Sequence, residues 1–238
     1  MVPSGHPPVT AAIVPAAGRG ERLGPGTPKA LRLLGGAPLL VHAVRSLARA
    51  RLVDLVVVAA PPDQVEQVRA LLADHHAGAA LAVLAGGTTR QESVRRALAG
   101  LPDSVQTVLV HDAARPLAPV ELVDAVAAAV LEGAVAVVPG LPVADTVKRV
   151  EGDAVVETLD RTSLRAIQTP QGFARAALEE AHLGASDEEA TDDAALVERL
   201  GRRVVVVPGA EEAFKVTRPL DLLLAEAVLG RRRAGGVR

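Results

Sequence analysis

The run Pro15-Ala16-Ala17-Gly18-Arg19-Gly20-Glu21-Arg22-Leu23-Gly24, closed by Pro28-Lys29, has the residue types of an anion cradle. Small side chains let backbone N–H groups approach a polyphosphate, and Arg22 and Lys29 can add positive charge. The same letters suit a tight strand-to-helix turn with surface cations, and the loop alone leaves both readings open. Two other phosphate motifs are excluded. G-x-G-x-x-G would need glycine where Leu23 stands, and G-x-x-x-x-G-K-[ST] fails because Lys29 follows Pro28 and precedes Ala30. Further polar clusters are Gly86-Gly87-Thr88 and His111-Asp112 with Arg115. His111 has no second histidine at metal-ligand spacing, and His75-His76 reads as a loop pair.

These clusters need elements to position them. Strand-like runs are Ala11–Pro15, Leu55–Ala60, Leu81–Leu84, Thr107–His111 and Val135–Pro139; helical patterns fill Leu39–Arg49, Gln64–Ala73, Glu92–Ala99 and Val120–Leu131. Near-continuous apolar strands separated by helices predict a doubly wound, mostly parallel α/β sheet covered on both faces. In such sheets ligands bind beyond the carboxyl ends of the strands, where all three polar clusters fall. The pattern breaks over residues 141–172. There Asp145–Val150 and Ala154–Leu159 flank Glu151-Gly152-Asp153, predicting a hairpin charged on both faces. A lone hairpin is marginal in water, so it reads as a projecting β-arm steadied by a second subunit, with a loose surface hairpin as the alternative. A helix over Ala174–His182, a helix capped at Thr191, a strand over Val204–Val207 and a helix from Pro219 to Leu229 complete the reading. Lys215, between Phe214 and Val216, is expected on a strand.

Composition narrows the chemistry. The 238 residues suit one large domain with an accessory arm. Trp and Tyr are absent and there are two Phe, so a nucleobase must be held by main-chain groups and aliphatic packing. Cysteine is absent, which excludes disulfides, thiolate nucleophiles and Cys-based metal sites. A net charge of −2 argues against nucleic-acid binding. No apolar run approaches a membrane span, and the first residues lack a secretory pattern, so the expectation is a cytoplasmic protein.

Read together, Pro15-Ala16-Ala17-Gly18-x-Gly20-x-Arg22-Leu23 with Pro28-Lys29, Gly86-Gly87-x-x-Arg90-x-x-Ser93-Val94, His111-Asp112-Ala113-Ala114-Arg115-Pro116 and Lys215-Val216-Thr217-Arg218-Pro219 resemble the 2-C-methyl-D-erythritol 4-phosphate cytidylyltransferase family. The resemblance runs from Ala11 to Leu229. The nucleotide loop is shared with many sugar-nucleotide enzymes, whereas the later motifs in this order are more specific. Ala30 departs from the pattern, since many relatives place Gln after Pro-Lys.

The resemblance implies a Rossmann-like nucleotidyltransferase that joins CTP to a sugar-alcohol phosphate and releases pyrophosphate. Ala16, Ala17, Gly18 and Gly20 would cradle CTP, and Arg22 and Lys29 would bind its triphosphate and stabilise the transition state. Gly87, Thr88 and Ser93 would lie near cytosine; Asp112 would face the ribose or Mg²⁺-bound phosphates, with Arg115 supporting its loop. Arg161, in the arm, would reach the neighbouring subunit's site in a homodimer, and Thr169, Thr191 and Lys215 would complete the acceptor pocket. Plainer roles stand beside these: a helix cap for Thr191 and for Thr217, a surface salt bridge for Arg161, a solvent-facing Lys215. A phosphate monoester has its second pKa near 6, so its oxygen is already a charged nucleophile at neutral pH. That agrees with the lack of any Ser-His-Asp or Cys-His set. Ribitol 5-phosphate is the alternative acceptor, disfavoured by Ala113-Ala114 and the Arg161/Lys215 pair. A non-catalytic CTP-binding regulator is the alternative of another class.

Overall fold

A computed structural model of the chain describes residues 9–18, 29–75, 78–184 and 190–235. In chain order, β1 (Thr10–Pro15) is followed by a small hairpin, β2 (Leu33–Leu34) and β3 (Ala37–Pro38), then α1 (Leu39–Arg49), β4 (Leu55–Ala60), α2 (Val65–Ala73), β5 (Ala80–Ala85) and α3 (Arg90–Ala99). The second half holds β6 (Thr107–Val110), α4 (Val120–Leu131), β7 (Ala136–Pro142), β8 (Lys148–Glu151), β9 (Ala154–Thr158), β10 (Arg165–Ile167) and β11 (Gln171–Ala174). It closes with α5 (Arg175–Leu183), α6 (Asp193–Arg199), β12 (Val204–Pro208) and α7 (Pro219–Ala234).

The main sheet runs β7-β11-β6-β1-β4-β5, with β10 beside the far end of β7 and β12 on that strand's other edge. The β1–β4, β4–β5, β1–β6 and β7–β12 pairs are parallel, while β10 and β11 run antiparallel to their neighbours. Alternation along β1 divides the core. Ala12 and Val14 face α1, α2 and α4, whereas Ala11 and Ile13 face α3, α5 and α6. Both faces of the sheet are therefore buried, as a doubly wound layer requires.

Besides the small β2–β3 hairpin, two strands of the main sheet escape the sequence pattern. β11 is short and opens with Gln171 and Gly172, yet it lies between β6 and β7. A Cβ at Gly172 would sit 2.7 Å from Val126 Cγ1 and 2.9 Å from Val130 Cγ2, so glycine lets α4 pack directly on this strand. β10 pairs with Gly140–Pro142. The stretch 141–172 thus contains main-sheet residues at both ends, and the hairpin itself is the shorter β8–β9 pair. Gly152, at φ +61°, opens its turn, and every residue of both strands is exposed.

The caps differ in detail from expectation. Asp192, not Thr191, caps α6, its carboxylate accepting from Ala195 N at 3.0 Å. An aspartate oxygen takes the cap that a threonine one residue earlier cannot reach. At α7 the Asp221 carboxylate accepts from Thr217 N, Thr217 Oγ1 and Arg218 N, so Thr217 is a donor here and not the cap.

Candidate active site

Strand order reverses between β1 and β6: the chain winds outward through β4 and β5, then returns to the opposite side of β1. That switch point is where open α/β sheets leave a crevice. The loops after β1, β5 and β6 meet there. A Cβ on Gly86 would fall 2.6 Å from Ala17 Cβ and 2.9 Å from Ser93 Oγ, so the first two loops touch at a position only glycine fits. Gly87 N–H donates to Ser93 Oγ (3.0 Å), which donates to Thr89 O (2.8 Å). Thr88 donates through N and Oγ1 to Glu92 Oε2, and Thr89 Oγ1 accepts from Glu92 N, capping α3. The hydrogen bonds from Thr88, backbone first, hold the Glu92 carboxyl down at about 2. Ser93 is buried and its hydroxyl is spent on the loop itself; it fixes how Gly87 and Thr88 are presented.

Behind this loop lies a polar cleft of about 120 Å³, whose lining includes Arg90, Asp112, Arg115, Thr169, Thr191 and Lys215. Asp112 is its hub. Oδ1 accepts from Arg90 Nε at 3.2 Å and Oδ2 from Lys215 Nζ at 2.8 Å. Burial alone would push this carboxyl up, but the Arg90 and Lys215 charges outweigh it and hold Asp112 ionised well below the usual carboxylate range. Its N–H donates to Thr169 Oγ1 (3.0 Å). Arg115 donates to Ala213 O (2.7 Å) and Ile167 O (3.2 Å), and Val216 N–H donates to Ala114 O (2.8 Å). These bonds clip the segment on both sides of Lys215 to the loop after β6. Val216 is buried among Leu34, Leu39, Leu117 and Ala225, and the adjacent Lys215 extends to the cleft instead.

Residues 10–231 match the family model for 2-C-methyl-D-erythritol 4-phosphate cytidylyltransferase. The protein of that name from Streptomyces coelicolor is 62% identical over 234 residues, covering 94% of this chain and 86% of its own length. This chain belongs to that family. Among solved structures, the cytidylyltransferase of Thermus thermophilus is 40% identical with TM-score 0.74, over 92% of this chain and 98% of that one. The 4-diphosphocytidyl-2C-methyl-D-erythritol synthase of Anaerococcus prevotii is 29% identical with TM-score 0.81, over 94% and 96%.

Against the cytidylyltransferase pattern, the fold gathers Asp112, Arg115, Thr169, Thr191 and Lys215 in one cleft, and Ala17 with Ser93 beside Gly87 and Thr88. Ala16 is buried and continues the sheet through its N–H to Ala59 O, while a Cβ added at Gly18 would have no neighbour within 4 Å among the described residues. Gly20 and Arg22 lie outside the described residues. Lys29 opens the turn Lys29–Leu31, half-buried; Arg161 stands on the turn Arg161–Ser163 at the arm's base and donates to Ala144 O. Neither lines the cleft of Asp112. Lys215 is not on a strand: its segment is extended but bonds to a loop, not to a neighbouring strand.

Sequence reasoning gave no role to Arg90, Gln171, Asp193 or the ring of His111. Arg90 carries the strongest signal of these, since it belongs to the Gly86–Ser93 motif. His111 is buried with both ring nitrogens hydrogen-bonded, Nε2 to Arg115 O and Nδ1 with Thr169 Oγ1. It is thereby occupied as an organiser of the loop after β6.

Proposed function

We propose that the chain transfers the cytidylyl group of CTP to 2-C-methyl-D-erythritol 4-phosphate, giving 4-diphosphocytidyl-2-C-methyl-D-erythritol and pyrophosphate. The observation that carries the site assignment is the grouping of Arg90, Arg115 and Lys215 around one ionised carboxylate at the switch point. An acceptor phosphate oxygen attacks the α-phosphorus, the new P–O bond forms, and the bond to the β-phosphate oxygen breaks as pyrophosphate leaves. The nucleophile needs no base at neutral pH. What it needs is relief from repulsion between two polyanions and an in-line approach.

In this reading Lys29 and Arg22 neutralise the triphosphate, while Gly87 and Thr88 meet cytosine through a loop that Ser93 and Glu92 keep in shape. Lys215 and Thr191 receive the acceptor phosphate, with Arg161 arriving from the arm of a second subunit. Thr169 and Arg115 serve the pocket through the loop they hold. Val150, Val155 and Val156 are exposed on the hairpin, apolar surface that supports a homodimer built on the arm. No helix among the described residues is long and apolar enough to cross a membrane, and we assign the enzyme to the cytoplasm.

Magnesium would supply charge neutralisation at the phosphate oxygens. Among the described residues no group of three His, Asp or Glu could cage a metal, and both Asp112 oxygens are engaged by Arg90 and Lys215. The donor set therefore fits an ion carried on the nucleotide's own phosphates and water.

A panel of nucleoside triphosphates against acceptors, read by pyrophosphate release with and without Mg²⁺, tests the assignment. Turnover is expected with CTP and methylerythritol phosphate. Preference for ribitol 5-phosphate would move the enzyme to the alternative acceptor, and tight CTP binding without turnover on any acceptor would make it a regulator.

A further inference from the structure

The cleft is the outer end of a longer chain of charges. Arg90 reaches Asp112 through Nε and, through Nη1, Asp193 Oδ2 at 2.6 Å. Asp193 Oδ1 in turn lies 3.0 Å from His182 Nε2. The order is thus Lys215, Asp112, Arg90, Asp193, His182, passing from the solvent-lined pocket to the packed pair α5 and α6. Asp193 and His182 side chains are 1% and 2% exposed, so neither can touch a substrate.

Fold stability is a poor reason for their presence. A buried ion pair contributes little over an apolar pair of the same volume, because desolvation offsets the attraction. Among the described residues His182 Nδ1 is also buried without a partner, a cost that leucine here would not incur. What the arrangement does fix is orientation. Asp193 anchors one edge of the Arg90 guanidinium, which leaves Nε aimed at Asp112 Oδ1. Asp112 then has a single orientation in which Oδ2 meets Lys215. Gln171 secures the other end: Nε2 donates to Asp192 Oδ2 at 2.8 Å and Oε1 accepts from Ala194 N at 3.2 Å, so the start of α6 cannot shift against β11.

We infer that Asp193, acting through Arg90, is a positioning residue that sets Asp112 and Lys215 for the acceptor phosphate, with His182 holding Asp193 in place. This rests on the reading that Lys215 meets that phosphate. It is separable from it by experiment.

The test is steady-state kinetics with methylerythritol phosphate varied at saturating CTP, and with CTP varied at saturating methylerythritol phosphate, on wild type, Asp193→Asn, Lys215→Ala and the double variant, all normalised to folded protein. Asp193→Asn should raise the acceptor KM about tenfold, leave the KM for CTP in place, and add little in the Lys215→Ala background, as coupled neighbours do. Additive effects, or losses that follow only the amount of folded protein, overturn the inference. A raised acceptor KM in Lys215→Ala with wild-type values in Asp193→Asn overturns it while the reading of Lys215 stands. An unchanged acceptor KM in Lys215→Ala overturns both. Should Asp193→Asn not fold, Arg90→Lys serves in its place: the charge is kept, but one ammonium cannot span both carboxylates in the same geometry. The same KM split is expected from it, and its absence refutes the role.

Discussion

Acidification should weaken this fold through one buried ring. Arg115 O can only accept, so His111 Nε2 carries the ring proton and Nδ1 accepts from the Thr169 hydroxyl. Thr169 Oγ1 is then free to accept from Asp112 N–H. A second proton on the ring would face donor against donor and place a charge in a dry site. Burial, only partly opposed by the nearby Asp112, brings the His111 pKa from 6.5 down to about 4. The unfolded chain, with its histidine near 6.5, binds more protons than the native state within that window. Stability is therefore complete above pH 6.5 and is lost as pH falls toward 4. The gap corresponds to roughly 3 kcal/mol. Urea unfolding followed across the window, on wild type and His111→Gln, isolates the effect, since the amide keeps an N–H for Arg115 O and cannot titrate. His42, also lowered by burial, acts in the same direction but is common to both proteins. Asp112 and Asp193, held below 3.8, lose their contribution only at lower pH. Equal acid sensitivity in the two proteins would refute the reasoning.

Gly172→Ala should destabilise the protein by about 1–3 kcal/mol through overpacking against Val126 and Val130, with turnover per folded molecule unchanged; a wild-type urea midpoint would mean that α4 can retreat. Lys29→Ala should lower kcat by roughly 10²- to 10³-fold, the scale for one transition-state donor, and near-normal turnover would remove Lys29 from the mechanism. Mixing Lys29→Ala with Arg161→Ala chains should recover part of the activity if the arm works across subunits. Complete failure to complement would place both residues in a site built within one chain.

The sequence made the parallel layer legible because its strands are apolar on both faces and its helices are not. β1, β4, β5, β6 and β7 announce themselves in this way, and the loops at their carboxyl ends follow from topology. The antiparallel insertions were not legible. Gln171-Gly172-Phe173-Ala174 shows neither alternation nor a β-branched run, and what makes it a strand is two neighbours distant in sequence. Lys215 misled for the opposite reason: Phe214-Lys215-Val216 alternates like a strand, yet its partner is the loop at Ala114. Arg90 begins a helix among polar residues, and nothing nearby in sequence marks its partner: Asp193 is 103 positions away. Local pattern reports which faces are apolar, and says nothing of which buried charges find each other.

The balance of those charges explains how the cleft proposed for an anion can persist before one arrives. Arg90, Arg115 and Lys215 supply three positive charges, and Asp112, Asp192 and Asp193 return three negative ones, so the charges of the cleft and its buried extension balance. Lys215 is the cation best placed to meet an incoming anion, with 41% of its side chain exposed, against 1% for Asp193 at the inner end. An ammonium has three donors, and Asp112 Oδ2 fixes its position. In the proposed reading, a phosphate entering the cleft would meet a cation already oriented by a carboxylate, and would compete with that carboxylate for the charge. The competition costs some affinity. In exchange the acceptor phosphate is held by a group already in place, so the assistance Lys215 gives is alignment for in-line attack and relief of repulsion between the two anions.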